Sequence, residues 1–552
     1  MPVAPSRTIR YDGRPVAVAS GETLLSGIVR VQRPLLQRSV RYHRPRGPFC
    51  GVGHCTGCLL RVNGRPNVRA CRYEPADGDV ATTENAWPSA RFDLLGALDA
   101  IFPGGIDTLH GFRRPAFATR AYQRVVRALA GYGTPPTDAA ARALAAPPLL
   151  REAPTVVIGA GTSGRATAAR LVERGERPLL IDRGLHPLPL PGADLLAATT
   201  VAFLPPPSGD PLRFALVGVT EPARGVRIRA RSVVVATGAY DGNLLFGGND
   251  RPGILTGDGA EALVAGGAPP PFHRAIVVGG GDRAREIVER FGPRVHAVVS
   301  PGEIPPELVR SASDRGVRLF PRTLVVAANG RRWVRSLELK GRGAGPRFTL
   351  AGDAVILAHR RLPNVPLLFQ AGARMTWHGP LGAYLPAVDP DGATTVPGLF
   401  AVGPVGGAVP GASAASGGRA ADRIGGAPSA PEGIDRVPEA GRSEFEGYYR
   451  ELLRGPRPGR WIACPCEDVL WEEIETAHAR GYAGIEVVKR YTGLGTGLCQ
   501  GRYCTPDALL LLGLLEQRDP GAVGYLTQRP PVVPTPIAAL AALPADGPEG
   551  AA

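Results

Sequence analysis

The residues best suited to chemistry are eight cysteines, and they fall into two sets of four. Cys50, Cys55, Cys58 and Cys71 lie near the start of the chain, the first three at C-x4-C-x2-C spacing. Four thiolates at such spacing suit a 2Fe–2S centre, with two thiolates to each iron. Gly51, Gly53 and Gly57 leave room for a loop to wrap a cluster and aim its N–H groups at sulfur. A C-x2-C pair is also compatible with zinc, but a four-residue, Gly-rich first loop fits a cluster better. His54, inside that loop, reads as a solvent-facing residue rather than a ligand. Cys464, Cys466, Cys499 and Cys504 form the second set: C-x-C, 32 residues, then C-x4-C. Two close pairs again give four thiolates for one cluster, with zinc as the alternative. No cysteine is left over. In a reducing compartment, thiols so divided read as metal ligands rather than disulfides.

Glycine spacing marks a second kind of chemistry. In Thr155–Gly164 a β-branched run leads into Gly159, Gly161 and Gly164 at G-x-G-x-x-G spacing. A helix is expected over Ala166–Glu173 and a second strand over Pro178–Asp182. That βαβ pattern binds a dinucleotide, with the pyrophosphate at the helix N-terminus and Asp182 accepting from a ribose hydroxyl. FAD is the simplest occupant. The run Ser232–Ala236 leads into Thr237-Gly238, a strand ending at a turn beside the nucleotide. Ala275–Ala284 repeats the pattern as G-x-G-x-x-A, with Gly279 and Gly281 at the turn. Its second strand, Val295–Val299, ends in Ser300 rather than an acid. No arginine pair follows to take a 2′-phosphate, so NAD is favoured over NADP if this site binds, and an empty scaffold is the alternative. The chain returns to the first fold at Gly398–Gly403, and Gly411–Ile424 supplies a small-residue helix.

Other classes find little support. The sequence has no H-E-x-x-H, no Gly-Lys-Ser/Thr P-loop and no G-x-S-x-G elbow. The inserted fold has no C-x-x-C, which argues against disulfide exchange. The net charge of +15 comes almost wholly from arginine, since Lys340 and Lys489 are the two lysines. With 73 Gly and 57 Pro, this looks like a coding bias. The arginines are scattered, apart from short runs such as Arg38–Arg46, so nucleic acid is not an expected partner. No signal-peptide h-region follows Met1–Arg10, and no apolar run approaches a membrane span. A cytoplasmic location is expected.

The elements that must position these residues divide as follows. Residues 1–95 read as a small β-rich domain, with a hairpin turning at Tyr11–Arg14 and a helix over Glu22–Val29. A connector, 96–150, carries helices near Phe92–Ala100 and over Tyr122–Ala130, then a break at Gly131–Pro136. Residues 151–270 and 361–426 form the FAD (dinucleotide)-binding domain, and 271–360 the inserted NAD-binding-like domain. Strands are expected at Val317–Phe320, Leu324–Ala328, Trp333–Leu339 and Ala354–Ala358. A linker, 427–460, contains a helix over Ser443–Leu453. The second cysteine set lies in 461–520, with helices over Val469–Arg480 and Ala483–Lys489, and 521–552 is a Pro/Ala-rich tail. The fold class is α/β.

The text around the cysteines resembles a known family. Lys489–Gly497 running into Cys499-Gln500-Gly501-Arg502-Tyr503-Cys504 looks like the bacterioferritin-associated-ferredoxin-like region of alpha subunits of heterotetrameric sarcosine oxidase, hydrogen cyanide synthase and dye-linked proline or hydroxyproline dehydrogenases. Phe49–Cys71, with Asn63–Ala70, resembles their ferredoxin-like domain. Gly111–Gly133 is similar to the connector, and Phe246–Gly253 to the central domain. The resemblance implies an N-terminal β-grasp ferredoxin-like domain, two nested Rossmann-like FAD/NAD(P)-binding domains, and a C-terminal small helical domain of the bacterioferritin-associated-ferredoxin kind. It implies FAD or another adenine dinucleotide, two 2Fe–2S clusters, and NAD if the second site binds. It further implies a separate flavoprotein beta subunit that oxidises an amine or amino acid. The chain departs from the family in three places. It ends without the aminomethyltransferase region, so tetrahydrofolate chemistry is not expected. About 50 residues separate Asp182 from Ser232, and the stretch His186–Gly192 is Pro-rich. Gly403 is followed by Pro404 rather than the acid of related reductases, which removes a ribityl contact.

Overall fold

The computed structural model describes residues 6–31, 35–39, 41–97, 116–129, 136–143, 146–184, 187–204, 212–220, 223–265, 269–427, 434–438 and 441–544. The chain divides into two compact units. One joins Met1–Ala140, Asp241–Arg361 and Glu444–Gly524; the other joins Ala141–Tyr240, Leu362–Ser443 and Tyr525–Ala552.

The first unit holds both cysteine sets. Ser6–Tyr11 and Arg14–Ala19 pair as the expected hairpin. Asp12 and Gly13 both take positive φ at its tip, the geometry that a two-residue hairpin turn requires. Ser6–Tyr11 also pairs in parallel with Val80–Thr82, and the sheet continues through Leu59–Val62 to Arg65–Arg69. The helix Leu24–Val31 packs its apolar side on this sheet, giving a β-grasp arrangement.

A second sheet of the same unit is wholly parallel. Its order is Ile254–Thr256, Ala354–Leu357, Ala275–Val278, Val295–Val299, Arg318–Phe320. Central strands such as Ala275–Val278 are apolar throughout because helices and loops cover both faces. Ile254–Thr256, placed by sequence in the 151–270 segment, pairs with Ala354–Leu357 in this sheet. An antiparallel sheet of Thr323–Asn329, Ser336–Gly341 and Arg347–Ala351 stands beside it. The two folds share one apolar core: Val18, Leu60 and Ala70 belong to the same cluster as Val277, Ala284 and Phe291. In the C-terminal part, a short pairing of Ile462–Cys464 with Val469–Leu470 precedes helices Trp471–Ala479, Ile485–Thr492 and Thr505–Leu515.

The second unit is built on a seven-stranded sheet ordered Asp194–Ala197, Leu179–Asp182, Leu149–Ile158, Arg224–Val235, Phe214–Thr220, Thr199–Leu204, with Leu399–Ala401 also on Arg224–Val235. Alternation sends Val156, Ile158 and Val233 to one face and Val157, Leu180 and Val234 to the other. The second face receives helices Thr162–Glu173 and Ser413–Ile424 through Ala168, Leu171, Ala420 and Ala421. The short segment between Asp182 and Ser232 is therefore spent on strands, two of them antiparallel.

In the connector, the structure shows a 3-10 turn at Leu94–Gly96 in place of the start of a helix, and a helix over Ala116–Leu129. The rest of the helix near Phe92–Ala100, the residues 111–115 and the break at Gly131–Pro136 lie wholly or mostly outside the described residues. Among the described residues no helix is long and apolar enough to cross a membrane.

Candidate functional site

All eight cysteines are buried. The Cys50 thiol lies within hydrogen-bonding reach of Cys55 and Cys71, and Cys71 within reach of Cys58. Cys466 meets Cys499 in the same way, and Cys504 meets Cys464. Among the described residues no three His, Cys, Asp or Glu side chains converge on a single ion. In the first set the thiols follow one another as Cys55–Cys50–Cys71–Cys58, and in the second they meet in two pairs. Backbone donors turn toward the sulfurs: Cys55 N–H donates to Cys50 Sγ at 3.3 Å and Gly57 N–H to Cys55 Sγ at 3.4 Å. Burial opposes ionisation of Cys50, yet the Cys55 and Cys71 thiols hold it well below the usual thiol range. The Cys466 thiol pulls Cys499 down to about 7 against the effect of burial, with help from the N–H groups of Tyr503 and Gly501. These donor sets fit 2Fe–2S centres, which the two quartets would hold. His54 is buried at 3% exposure, contrary to the solvent-facing position expected from sequence. The loop closes over itself to shelter the thiols, and takes the imidazole inside with it.

The structure brings the two quartets together. Thr56, next to Cys55, donates its hydroxyl to Cys466 Sγ at 3.6 Å. Phe49 and Tyr503, each beside a quartet cysteine, meet edge-on at 5.2 Å. An ionic clamp fixes the approach. Arg44 reaches Asp250 at 2.8 Å and Asp468 at 2.9 Å; Arg46 reaches them at 3.0 and 2.5 Å. Arg46 also donates to the Pro465 carbonyl at 2.8 Å. Burial works against the Asp250 carboxylate, but the Arg44 and Arg46 guanidiniums hold its pKa below the ordinary value of 3.8. The sequence offered only the run Arg38–Arg46 as a hint of this. Its arginines are bound to carboxylates: Arg38 lies 3.9 Å from Asp93, and Arg41 2.9 Å from Glu473. The first quartet's loop rests on the inserted fold, where Thr256 N–H donates to the Phe49 carbonyl at 3.0 Å.

In the second unit Gly159 and Gly161 link the strand Leu149–Ile158 to the helix Thr162–Glu173, and Gly164 lies in that helix's first turn. Gly159 turns at φ +109, conformational space open to glycine. A Cβ on Gly164 would overlap the Gly159 carbonyl oxygen, whereas one on Gly161 would meet nothing within 4 Å. Gly161 caps the helix Thr162–Glu173 without a side-chain bond, and the first turn contains no acid. This open helix start fits a pyrophosphate. Asp182 accepts from Ala160 N–H at 2.7 Å and from Gly184 N–H at 2.5 Å. A carboxylate has about four acceptor sites, which leaves capacity for a ribose hydroxyl. The Thr237 hydroxyl donates to the Asn364 carbonyl at 2.8 Å, and Asn364 N–H donates to the Gly238 carbonyl at 3.0 Å, fixing that turn. Gly403 N–H donates to Ser416 Oγ at 3.0 Å, at the foot of the helix Ser413–Ile424.

The second glycine motif differs at both ends. Gly281 caps the helix Asp282–Phe291, whose first turn carries Asp282, 78% exposed. At the strand end, Ser300 is buried and its Oγ accepts from Gly302 N–H at 3.2 Å; a Cβ on Gly280 would overlap that Oγ. Gly279 lies at the same turn. The acid thus stands at the helix start rather than the strand end, the reverse of the first fold. Arg283 is gathered by Asp241, Asp258, Glu261 and Glu286 at 2.8–3.3 Å.

Residues 6–86 match the 2Fe-2S iron-sulfur cluster binding domain, 213–418 the pyridine nucleotide-disulphide oxidoreductase family, and 459–543 the sarcosine oxidase A3 domain. The chain is 28% identical to sarcosine oxidase subunit alpha of Rhizobium meliloti, over 96% of this chain and 57% of that subunit. The chain belongs to the sarcosine oxidase alpha-like family. It therefore spans little more than half the length of that curated relative. A hydrogen cyanide synthase subunit of Pseudomonas aeruginosa is 41% identical over 16% of this chain and 78% of its own length. The fold is that of an L-proline dehydrogenase from P. horikoshii, at a TM-score of 0.66 and 18% identity, covering 96% of each chain. The two matched domains, the 2Fe-2S iron-sulfur cluster binding domain and the pyridine nucleotide-disulphide oxidoreductase, support an iron–sulfur cluster and a flavin.

Proposed function

We propose that this chain is the electron-relay subunit of an amine or amino-acid dehydrogenase or oxidase complex, working on CH–NH or CH–NH2 donors of the sarcosine, proline, hydroxyproline or glycine class. A separate flavoprotein beta subunit in the cytoplasm would oxidise the donor. When bound, the flavin accepts electrons in pairs and the 2Fe–2S centres carry them singly. One observation carries the reading: the Thr56–Cys466 contact, which sets two buried thiol quartets side by side within one unit. The chain's own residues supply the rest. Cys50, Cys55, Cys58 and Cys71 would hold one centre, and Cys464, Cys466, Cys499 and Cys504 the other. The Arg44, Arg46, Asp250 and Asp468 clamp keeps the separation constant, and burial keeps water from the thiols. Gly159, Gly161, Gly164 and Asp182 would hold the dinucleotide's pyrophosphate and ribose.

The test is anaerobic purification with assay of iron, acid-labile sulfide and released nucleotide. Roughly four irons per chain are expected, two for each 2Fe–2S centre, with FAD released on denaturation. A count of two irons or none refutes the two-centre reading. Co-expression with candidate flavoprotein subunits should return a complex that reduces a dye with one of these amines.

A further inference from the structure

We propose that Thr56 is a tuning residue: from the loop of the first quartet, it sets the reduction potential of the centre held by the second. The inference rests on the two-centre reading given above. The Thr56 hydroxyl donates to Cys466 Sγ at 3.6 Å, while the bonds to sulfur in its own loop come from backbone N–H groups. Hydrogen bonds to a ligand sulfur withdraw charge from it and raise the potential of the iron it holds.

Both ends of the contact are fixed. Thr56 is 5% exposed, and its carbonyl accepts from the side-chain amide of buried Gln37. On the other side, Arg46 grips the Pro465 carbonyl and the Asp468 carboxylate, which flank Cys466. The backbone on both sides of the contact is therefore held by buried hydrogen bonds. The bond strengthens as charge on the sulfur grows, so it favours the electron's residence at the second quartet. In a titration the added chemical reductant would give one electron to the second centre and be oxidised in turn; no covalent bond to Thr56 would form or break, and Thr56 would keep its proton.

The experiment is a redox titration of the full-length chain followed by electron paramagnetic resonance, on wild type, Thr56→Val, Thr56→Ala and Thr56→Ser. Cys466→Ser assigns the signal of the second quartet. Valine and alanine remove the donor and serine retains it. In the valine and alanine variants the second centre's potential should fall by about 59 mV, a tenfold change for one electron. The first centre should stay unchanged, and serine should keep the wild-type value. Four irons with both potentials unmoved, with both moved equally, or with serine behaving as valine overturns the tuning role alone. Two irons per chain overturns the two-centre reading and this inference together.

Discussion

Gly161 and Gly164 lie three positions apart, yet the structure gives them opposite kinds of constraint. Gly164 is demanded by the protein itself, because a Cβ there would overlap the Gly159 carbonyl. Gly161 is surrounded by open space, so any demand on it comes from a ligand. Gly164→Ala should therefore destabilise the nucleotide-free chain by about 1–3 kcal/mol, the usual cost of overpacking. Gly161→Ala should leave thermal unfolding of the nucleotide-free chain almost unchanged, while weakening FAD binding at least tenfold. Differential scanning calorimetry and flavin-fluorescence titration separate the two. Equal loss of stability in both variants would count against a pyrophosphate at Gly161.

At the scale of elements, the two βαβ folds share a glycine motif and differ in where their carboxylate stands. The helix Thr162–Glu173 begins without an acid, and its partner strand ends in Asp182. The helix Asp282–Phe291 begins with one, and its partner strand leads to Ser300. A carboxylate at a helix N-terminus already satisfies the dipole, and it repels an incoming pyrophosphate. NADH added to the isolated chain should consequently leave the flavin absorbance unbleached, with no binding at micromolar concentration by calorimetry. Bleaching at a rate comparable to turnover would instead support a self-contained NADH-dependent reductase. The inserted fold then serves as a platform: its core is continuous with that of the β-grasp fold, and Thr256 holds the Phe49 carbonyl.

At the scale of the molecule, distant stretches of sequence are joined by the clamp. Asp250 and Asp468, each 6% exposed or less, face Arg44 and Arg46. Removing one partner of a buried ion pair leaves an uncompensated charge, so Asp250→Asn should cost about 3–5 kcal/mol. The pH dependence has a definite sign. The folded pKa of Asp250 lies below its ordinary value of 3.8, so the stabilisation is complete above that value. It is lost as pH falls below 3.8 through the folded value. Denaturant melts of wild type and Asp250→Asn should converge on acidification below that point. A constant difference between them down to the folded pKa would contradict the assignment.

The cysteine quartets, the first glycine motif with Asp182, and most strands and helices around them were legible in the sequence. Each is a local pattern: fixed spacing for ligands, period-two alternation for strands, and glycine where a turn needs it. Strands Thr199–Leu204 and Phe214–Thr220, which pair with each other, escaped notice because a proline tract separates them; Phe214–Thr220 pairs in turn with Arg224–Val235. Burial of His54 was equally invisible, since it depends on how the loop folds back on itself. Sequence spacing could show that there are two sets of four thiols, because one set lies within Cys50–Cys71 and the other within Cys464–Cys504, far apart along the chain. Only the tertiary structure could show that Thr56 touches Cys466, a contact across 410 positions. That contact depends on a shared core and on four mostly buried charges drawn from three segments, and no local periodicity encodes such an arrangement.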